Sequence, residues 1–306
     1  MLDAISRVAH EEVLETPAIA SAVVVHRNSI DTVVNTIADL LRQRECLRQI
    51  IIIDNSDNAA IEDVLQEHRD LRLHLLRCEN RGYGPAMNIG VRTLDPSADF
   101  VLLCTHEARF GDQAVGELMA SAHPRDGLVV PLIGRSSKGN VWCAGGTLDG
   151  PAFVPKNIGR GEDMMAWRQR RPFVADWSDG AVMLARVAAF KSVGGFNEDY
   201  FMYHEDVELC LRLKAQGWAT RVVPTTVAWQ EPSGVPPYLD ARNHLKTVFR
   251  HRGRSLLAAL ALHMLRAVTD ALEGNSRLAW ARLAGIADAP RPGSPKRGGL
   301  VALKYR

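Results

Sequence analysis

The chain has 306 residues, 46% of them hydrophobic, which is enough to bury a large core and excludes disorder over most of its length. Its 37 Lys and Arg nearly cancel 35 Asp and Glu, and the net charge of +2 excludes a general nucleic-acid binder; any bound anion must be met by local groups. Cys46, Cys78, Cys104, Cys143 and Cys210 form no CxxC pair, and Cys104 and Cys210 lie in apolar patterns as buried thiols, which fits a reducing, cytoplasmic compartment.

Residues 1–15 read as a short charged amphipathic helix, without the apolar core or cleavage site of an export signal. "AIASAVVVH", ending at His26, is the continuous apolar run of a parallel strand covered on both faces. A helix follows, with Asp31 as N-cap and Val33, Val34, Ile37, Leu40 and Leu41 on one stripe. "QIIIIDN" repeats the strand signature with Asp54 at its end, Ile61, Val64 and Leu65 mark another helix, and Leu71, Leu73 and Leu75 alternate as a strand. A glycine-containing turn then leads to a helix over Pro85–Val91, and "DFVLLC" supplies the next strand, ending on Thr105, His106 and Glu107. This β-α-β order predicts an open, doubly wound, mostly parallel sheet whose ligands sit beyond the carboxyl ends of the strands. His26, Asp54, Asn80 and Thr105–Glu107 all fall there.

Further on, a helix around Val115 and Leu118 leads to the strand "GLVVPLI", and residues 134–171 read as a mobile loop rich in Gly, Arg and Lys. Regularity returns at "DWSDGAVMLA", and the helix "HEDVELCLRLKAQG" ends on Gly217 as C-cap. The expected division is a nucleotide-sugar-binding and catalytic domain over 1–237, a helical extension over 238–289 and a basic flexible tail over 290–306.

Three stretches can carry chemistry, and each has a plainer reading beside it. In "NRGYGPAMNIG" the glycines at 82 and 84 let backbone approach a ligand at a helix start, although an ordinary turn gives the same pattern; the GxGxxG phosphate fingerprint is absent. Asp54 and Asn55 can accept hydrogen bonds from a base or ribose, or can simply cap a turn. Glu205, Asp206 and Glu208 suit a helix N-terminus, yet the preceding Phe201, Met202 and Tyr203 would desolvate them and raise a carboxylate toward the range of a general base.

Together, "VVVHRNS", "IIIIDNSDN", "NRGYGPAMNIG", "GGFNEDYFMYHEDVELCLRLKAQGW" and Arg242-Asn243, in this order over about Ala18–Asn243, resemble the inverting family 2 glycosyltransferases of the GT-A fold, the rhamnosyltransferase-like branch above all. The resemblance implies a nucleoside-diphosphate sugar donor, dTDP- or UDP-linked, and a glycan, lipid-linked or small-molecule hydroxyl acceptor. It implies donor-side roles for His26, Asp54, Asn80, Gly82, Asn88, Thr105 and His106. Asp206 corresponds to the general base, with Glu205 beside it, and Trp177 and Gly180 lie where the acceptor loop passes; Trp177 can stack on a sugar or sit in the core.

The pattern is broken where the family carries Asp-x-Asp for Mg²⁺ or Mn²⁺, here Thr105-His106-Glu107, and where a late histidine ligand is expected, here Gln230. Three readings stay open: Glu107 still anchors a metal; His106, Arg81, Arg109 or Arg242 replaces it as a fixed cation; or the chain is a weak or inactive sugar-nucleotide-binding assembly partner. A nucleotidyltransferase is disfavoured, because "VVVHRNSID" lacks a Gly-rich basic signature. The apolar run Ser255–Leu265, flanked by arginines, is too short to span a bilayer; it fits a helix packed on the domain or on a second copy, or one lying on a membrane, and packing is the favoured expectation.

Overall fold

The structure is a computed structural model that describes residues 18–231 and 234–290. The expected helix over residues 1–15 and the tail beyond residue 290 lie outside the described residues. β1 (Ala20–His26), β2 (Leu47–Asp54), β3 (Leu73–Arg77) and β4 (Phe100–Thr105) run parallel, with β1 between β2 and β4. Their Val, Ile and Leu runs suit strands buried on both faces, and successive side chains enter opposite cores. Val23, Val25, Ile51, Ile53 and Leu103 face one core; Val24, Ile50, Ile52, Leu102 and Cys104 face the other. Helices α1 (Ile30–Arg42) and α2 (Ala60–His68) cover the second core with Val33, Ile37, Leu40 and Ile61, while α3 (Tyr83–Arg92) covers the first with Met87 and Val91.

Register then places the site. His26 pairs with Asp54 and Val25 with Thr105, so polar strand ends finish side by side. Past β5 (Arg109–Phe110) and α4 (Ala114–Ala120) comes β6 (Asp126–Arg135), separated from β4 by the antiparallel β11 (Val182–Arg186). That insertion brings Gly180 and Ala181 to the end of β4, where Thr105 N–H donates to the Ala181 carbonyl at 3.0 Å. β12 (Ala219–Gln230) runs parallel to β6 and ends beside Arg135. The result is the expected doubly wound, mostly parallel α/β sheet with a helical C-terminal region.

Several local expectations shift. Asp31 lies inside the first turn of α1, and Ser29 holds the cap position, its N–H taken by His26 Nε2 at 3.1 Å. Leu71 is exposed and outside β3, because Asp70 folds back to bind the Arg72 guanidinium at 2.9 Å and the strand starts only afterwards. Helix α3 starts at Tyr83, ahead of Pro85. Residues 134–171, expected to be a loose loop, form β7 (Val141–Cys143), the hairpin β8 (Gly146–Asp149) with β9 (Val154–Asn157), and α5 (Met164–Arg168), followed by β10 (Phe173–Ala175) at the sheet edge. Aromatic anchors give these short elements their core: Trp167 is buried with Arg170 over its ring at 3.8 Å, and Arg160 covers Trp142 at 4.4 Å.

Between β11 and β12 lie α6 (Val187–Ser192) and α7 (Glu205–Ala215), the latter closed by Gly217 and by Trp218 N–H on the Leu213 carbonyl. The chain finishes in α8 (Pro237–His251), α9 (Leu256–Leu272) and α10 (Ser276–Asp288). α10 approaches α8 so closely that a Cβ at Gly285 would lie 2.3 Å from the Tyr238 carbonyl oxygen. α9 corrects one expectation. With the turn before it, helical structure runs for 20 residues, Gly253–Leu272, long and apolar enough by length and composition to cross a bilayer. The expected packing holds on one face, where Ala259, His263 and Ala267 are buried, while Leu257, Leu265 and Leu272 face outward.

Candidate active site

The donor side is built on the ends of β1, β2 and β4. His26 is fully buried and its ring is used twice: Nδ1 is 3.0 Å from Asp54 Oδ1, and Nε2 accepts the Ser29 N–H. Nδ1 therefore carries the proton, and His26 holds Asp54 in place rather than facing a ligand. Asp54 also takes the Ser56 N–H at 3.1 Å, while its second oxygen, 3.5 Å from Arg77 Nε, makes no hydrogen bond.

Asn80 Oδ1 collects the Asn55 side-chain amide and the Gly82 N–H, both at 3.3 Å, which shapes the turn. Gly82 adopts φ +113°, and the following Tyr83 N–H donates to the Phe201 carbonyl at 2.8 Å. Asn88 is placed differently from the expectation of a nucleotide-lining residue. Its amide donates to the Phe196 carbonyl and Glu198 and accepts the Phe196 N–H, so it clips α3 to the Gly194-Gly195 turn.

At the end of β4, the Thr105 hydroxyl is buried without a hydrogen-bond partner. His106 Nδ1 lies 3.1 Å from the Val25 carbonyl, an acceptor only, so Nδ1 is the protonated nitrogen and the Nε2 lone pair stands 3.7 Å from Glu107 Oε1. Burial lowers the pKa of His106, and the Val25 hydrogen bond only partly opposes it, so the ring is neutral at neutral pH and is not the fixed cation considered from sequence. Arg109 is held by Asp39 at 2.7 Å, and Arg242 is buried against the Asp199 carbonyl and the Asn243 side chain. Arg81 alone of that set lies exposed on the donor turn. A histidine that gives one N–H to a backbone carbonyl and aims the other nitrogen beside a carboxylate suits a divalent cation. No group of three His, Cys, Asp or Glu able to hold a metal occurs among the described residues, so Glu107 and His106 would hold one with diphosphate oxygens and water completing the shell.

The acceptor side centres on three carboxyls. Asp206 Oδ2 takes the Gly180 N–H at 3.0 Å and Oδ1 the Val207 N–H at 2.8 Å. Burial, and then the charge of Asp179, lift its pKa to about 7. Glu205 is pushed well above the usual carboxylate range by burial and by Asp206, and its Oε2 is buried without a hydrogen-bond partner. Asp179, which the sequence reading passed over between Trp177 and Gly180, is raised by burial and takes the Trp142 indole N–H at 3.0 Å and the Ala181 N–H at 2.9 Å. Gln230, at the position of the missing metal histidine, reaches Asp179 at 3.4 Å. Glu208 is set apart by Arg212 at 2.8 Å and His251 at 3.3 Å. Trp177 packs in the core with its N–H on the Thr147 carbonyl, so Trp142 is the aromatic that reaches the acids.

Two contacts join the halves. The Tyr83 hydroxyl donates to the Gly180 carbonyl at 2.5 Å, on the same residue whose N–H holds Asp206. Ahead of α7, Tyr203 and His204 both adopt left-handed φ, +69° and +67°, at a cost of about 1–3 kcal/mol each. Asn243 holds that bend by donating to the Met202 and Tyr203 carbonyls, both at 2.9 Å, and His204 stacks on His244 of α8 at 5.5 Å. The strained lead-in fixes Glu205 and Asp206 at the start of α7, with Asp206 against Gly180.

The turn before α3, tied to residue 201, and the desolvated Asp206 meet beyond the end of β4 on a doubly wound sheet, and the comparisons give the class as glycosyltransferases. The Glycosyl transferase family 2 model matches residues 21–175, and the Glycosyl transferase family group 2 model matches residues 160–279. The chain belongs to glycosyl transferase family 2, and its likeness is to rhamnosyltransferases. It is 32% identical over 203 residues to the N-acetylglucosaminyl-diphospho-decaprenol L-rhamnosyltransferase of Mycobacterium tuberculosis, covering 58% of this chain and 64% of the relative, slightly under two thirds of its length. Among solved structures, GalNAc-T7 with UDP, GalNAc and Mn²⁺ superposes with a TM-score of 0.62 at 17% identity, over 77% of this chain and 48% of the other. Staphylococcus aureus TarS 1–349 with UDP-GlcNAc gives 0.59 at 13% identity, over 89% and 80%. These likenesses show the GT-A fold.

Proposed function

We propose that the protein is an inverting glycosyltransferase that moves a deoxyhexose or hexose from a dTDP- or UDP-linked donor to a hydroxyl of a lipid-linked glycan. The observation that carries this reading is Asp206, a carboxylate held by two backbone N–H groups and raised to about 7, opposite the donor turn. The relative's name, with L-rhamnose as the transferred sugar and N-acetylglucosaminyl-diphospho-decaprenol as the acceptor, supports the sugar and acceptor classes. Asp54 and Asn80 bind the nucleoside and Gly82 admits its backbone approach. Asp206 takes the acceptor hydroxyl proton as that oxygen bonds to the anomeric carbon, and the nucleoside diphosphate leaves from the opposite face. Burial and Asp179 keep Asp206 basic, Glu205 stands beside it, and Trp142 and Gly180 line the acceptor side. Glu107 and His106 are the residues that would hold a divalent cation, which would supply positive charge for the leaving diphosphate. Catalysis belongs to the region up to about residue 237, and the helices over 238–289 brace it through Asn243 and His244.

Thermal unfolding with UDP-, dTDP- and GDP-sugars, each with Mn²⁺ or with EDTA, tests the donor site, since a ligand of the folded state raises its stability by mass action. A dTDP- or UDP-sugar shift is expected, and no shift from any nucleotide overturns the reading. Glu107→Gln should remove the Mn²⁺-dependent part of the shift and weaken Mn²⁺ binding by about tenfold in titration calorimetry; an unchanged metal response would show that Glu107 holds no ion.

Asp206 also sets a pH dependence. Only its deprotonated form accepts a proton, so kcat/KM should rise with pH through an apparent value of about 7. The sign for stability is opposite: a carboxyl raised from 3.8 to about 7 on folding contributes full stability below pH 3.8, lost as pH rises through about 7. A flat rate profile between pH 5.5 and 8, as a range of about two and a half units, would remove Asp206 from the proton transfer.

A further inference from the structure

Helix α9 leaves an apolar face without a partner. Leu257, Ala261, Met264, Leu265, Val268 and Leu272 recur at helical spacing within an arc of about 100°, with Leu257 80%, Leu265 65% and Leu272 84% exposed. Trp280 on α10 is 67% exposed and adds an indole, the side chain favoured at a membrane–water boundary. The opposite face of α9 buries Ala259, His263 and Ala267 against the domain, so the outward stripe is not needed for packing. An apolar face of this kind on a folded chain marks an interaction surface.

Charge selects the occupant. Arg252 and Arg254 are exposed at the start of the helix and Arg277 just beyond its end. A leucine stripe with exposed arginines near both helix ends, and an exposed indole on the next helix, fits a bilayer surface rich in anionic headgroups; a second copy would bring the same positive charges against one another.

Position ties the face to the chemistry. His263, on the buried side of α9, lies 2.8 Å from His244, and His244 stacks on His204, the residue immediately before Glu205 and Asp206. α9 and α8 therefore lie between the outward stripe and the residue that precedes the carboxylates. Given the lipid-linked acceptor proposed above, we infer that α9 lies in the interface of an anionic membrane and holds the domain at that surface.

Sedimentation of the full chain with vesicles of phosphatidylcholine alone or of phosphatidylcholine with phosphatidylglycerol tests this. The wild type should sediment with the anionic vesicles and be released by high salt. The double variant Leu265→Glu/Leu272→Glu should bind about a hundredfold more weakly while its donor-induced thermal shift and its transfer to a short-chain soluble acceptor stay at the wild-type level. Full recovery of the wild type in the supernatant, equal binding by the variant, or a dimer in sedimentation equilibrium that the same variant dissolves would each overturn the inference; the last would assign the face to a second copy. Loss of donor binding by the wild type would instead strike the glycosyltransferase reading and leave the vesicle result standing.

Discussion

Asp206→Asn should lower the turnover number by about a hundredfold to ten-thousandfold, the usual contribution of a general base, and leave the affinity for the sugar nucleotide within about twofold. The amide keeps the shape and can still accept one of the N–H groups from Gly180 and Val207, so the bend before α7 survives. What disappears is the site that accepts a proton. Glu205→Gln offers the contrast. It replaces a carboxyl that burial and the charge of Asp206 already hold protonated with a neutral amide, so turnover and the position of the pH profile should stay near those of the wild type. If Asp206→Asn also lost donor binding, the carboxylate would be structural. If the variant kept wild-type turnover, the proton would have another acceptor, and Asp179 would be the next candidate by position.

Gly82→Ala should destabilise the fold by about 2–4 kcal/mol and abolish donor binding. Gly82 holds φ +113°, and a Cβ there would lie 2.1 Å from the Phe201 carbonyl oxygen, the same atom that receives the Tyr83 N–H. Neither neighbour can yield, since both are backbone. The turn would have to move away from residue 201, which breaks the connection between the donor turn and the lead-in to α7. Gly139→Ala separates strain from crowding: its φ is also positive, +66°, but nothing lies within 4 Å of the added carbon. It should cost about 1 kcal/mol and leave ligand binding intact. Chemical unfolding of the two variants measures the difference, and equal stability would contradict the close approach at Gly82.

The strands were legible because each carries its own reason to be a strand. A run such as Ile50–Ile53 is β-branched and apolar at every position, and burial on both faces lets it read as one strand without outside information. The β8–β9 hairpin has no such run; its Leu148 and the Phe153 of its own turn pack with Leu245, Val248 and Ala259 of the C-terminal helices, partners distant in sequence, so local composition resembled a loop. The site divides in the same way. Asp206 sits in a motif dense enough to be recognised, but Asp179 acquires its role only when β11 inserts antiparallel between β4 and β6 and carries the residues before it to the end of β4. No pattern within "DWSDG" distinguishes the carboxylate that faces Trp142 from the indole of Trp177 that turns into the core. Asn88 shows the converse, a residue in a strong motif whose polar atoms all go to Phe196 and Glu198. The outward face of α9 was underestimated because its leucines and alanines match those of a packed helix, and only tertiary structure shows which side is covered.

The central claim is a single displacement driven by one base. Its most direct test is the anomeric configuration of the product, read by NMR after transfer from a donor of known configuration to a hydroxyl acceptor, with Asp206→Asn as the control. Inverted configuration at the transferred sugar, lost in the variant, is the result expected from one carboxylate facing the leaving diphosphate across the cleft. Retained configuration, or inversion undiminished in Asp206→Asn, would contradict it.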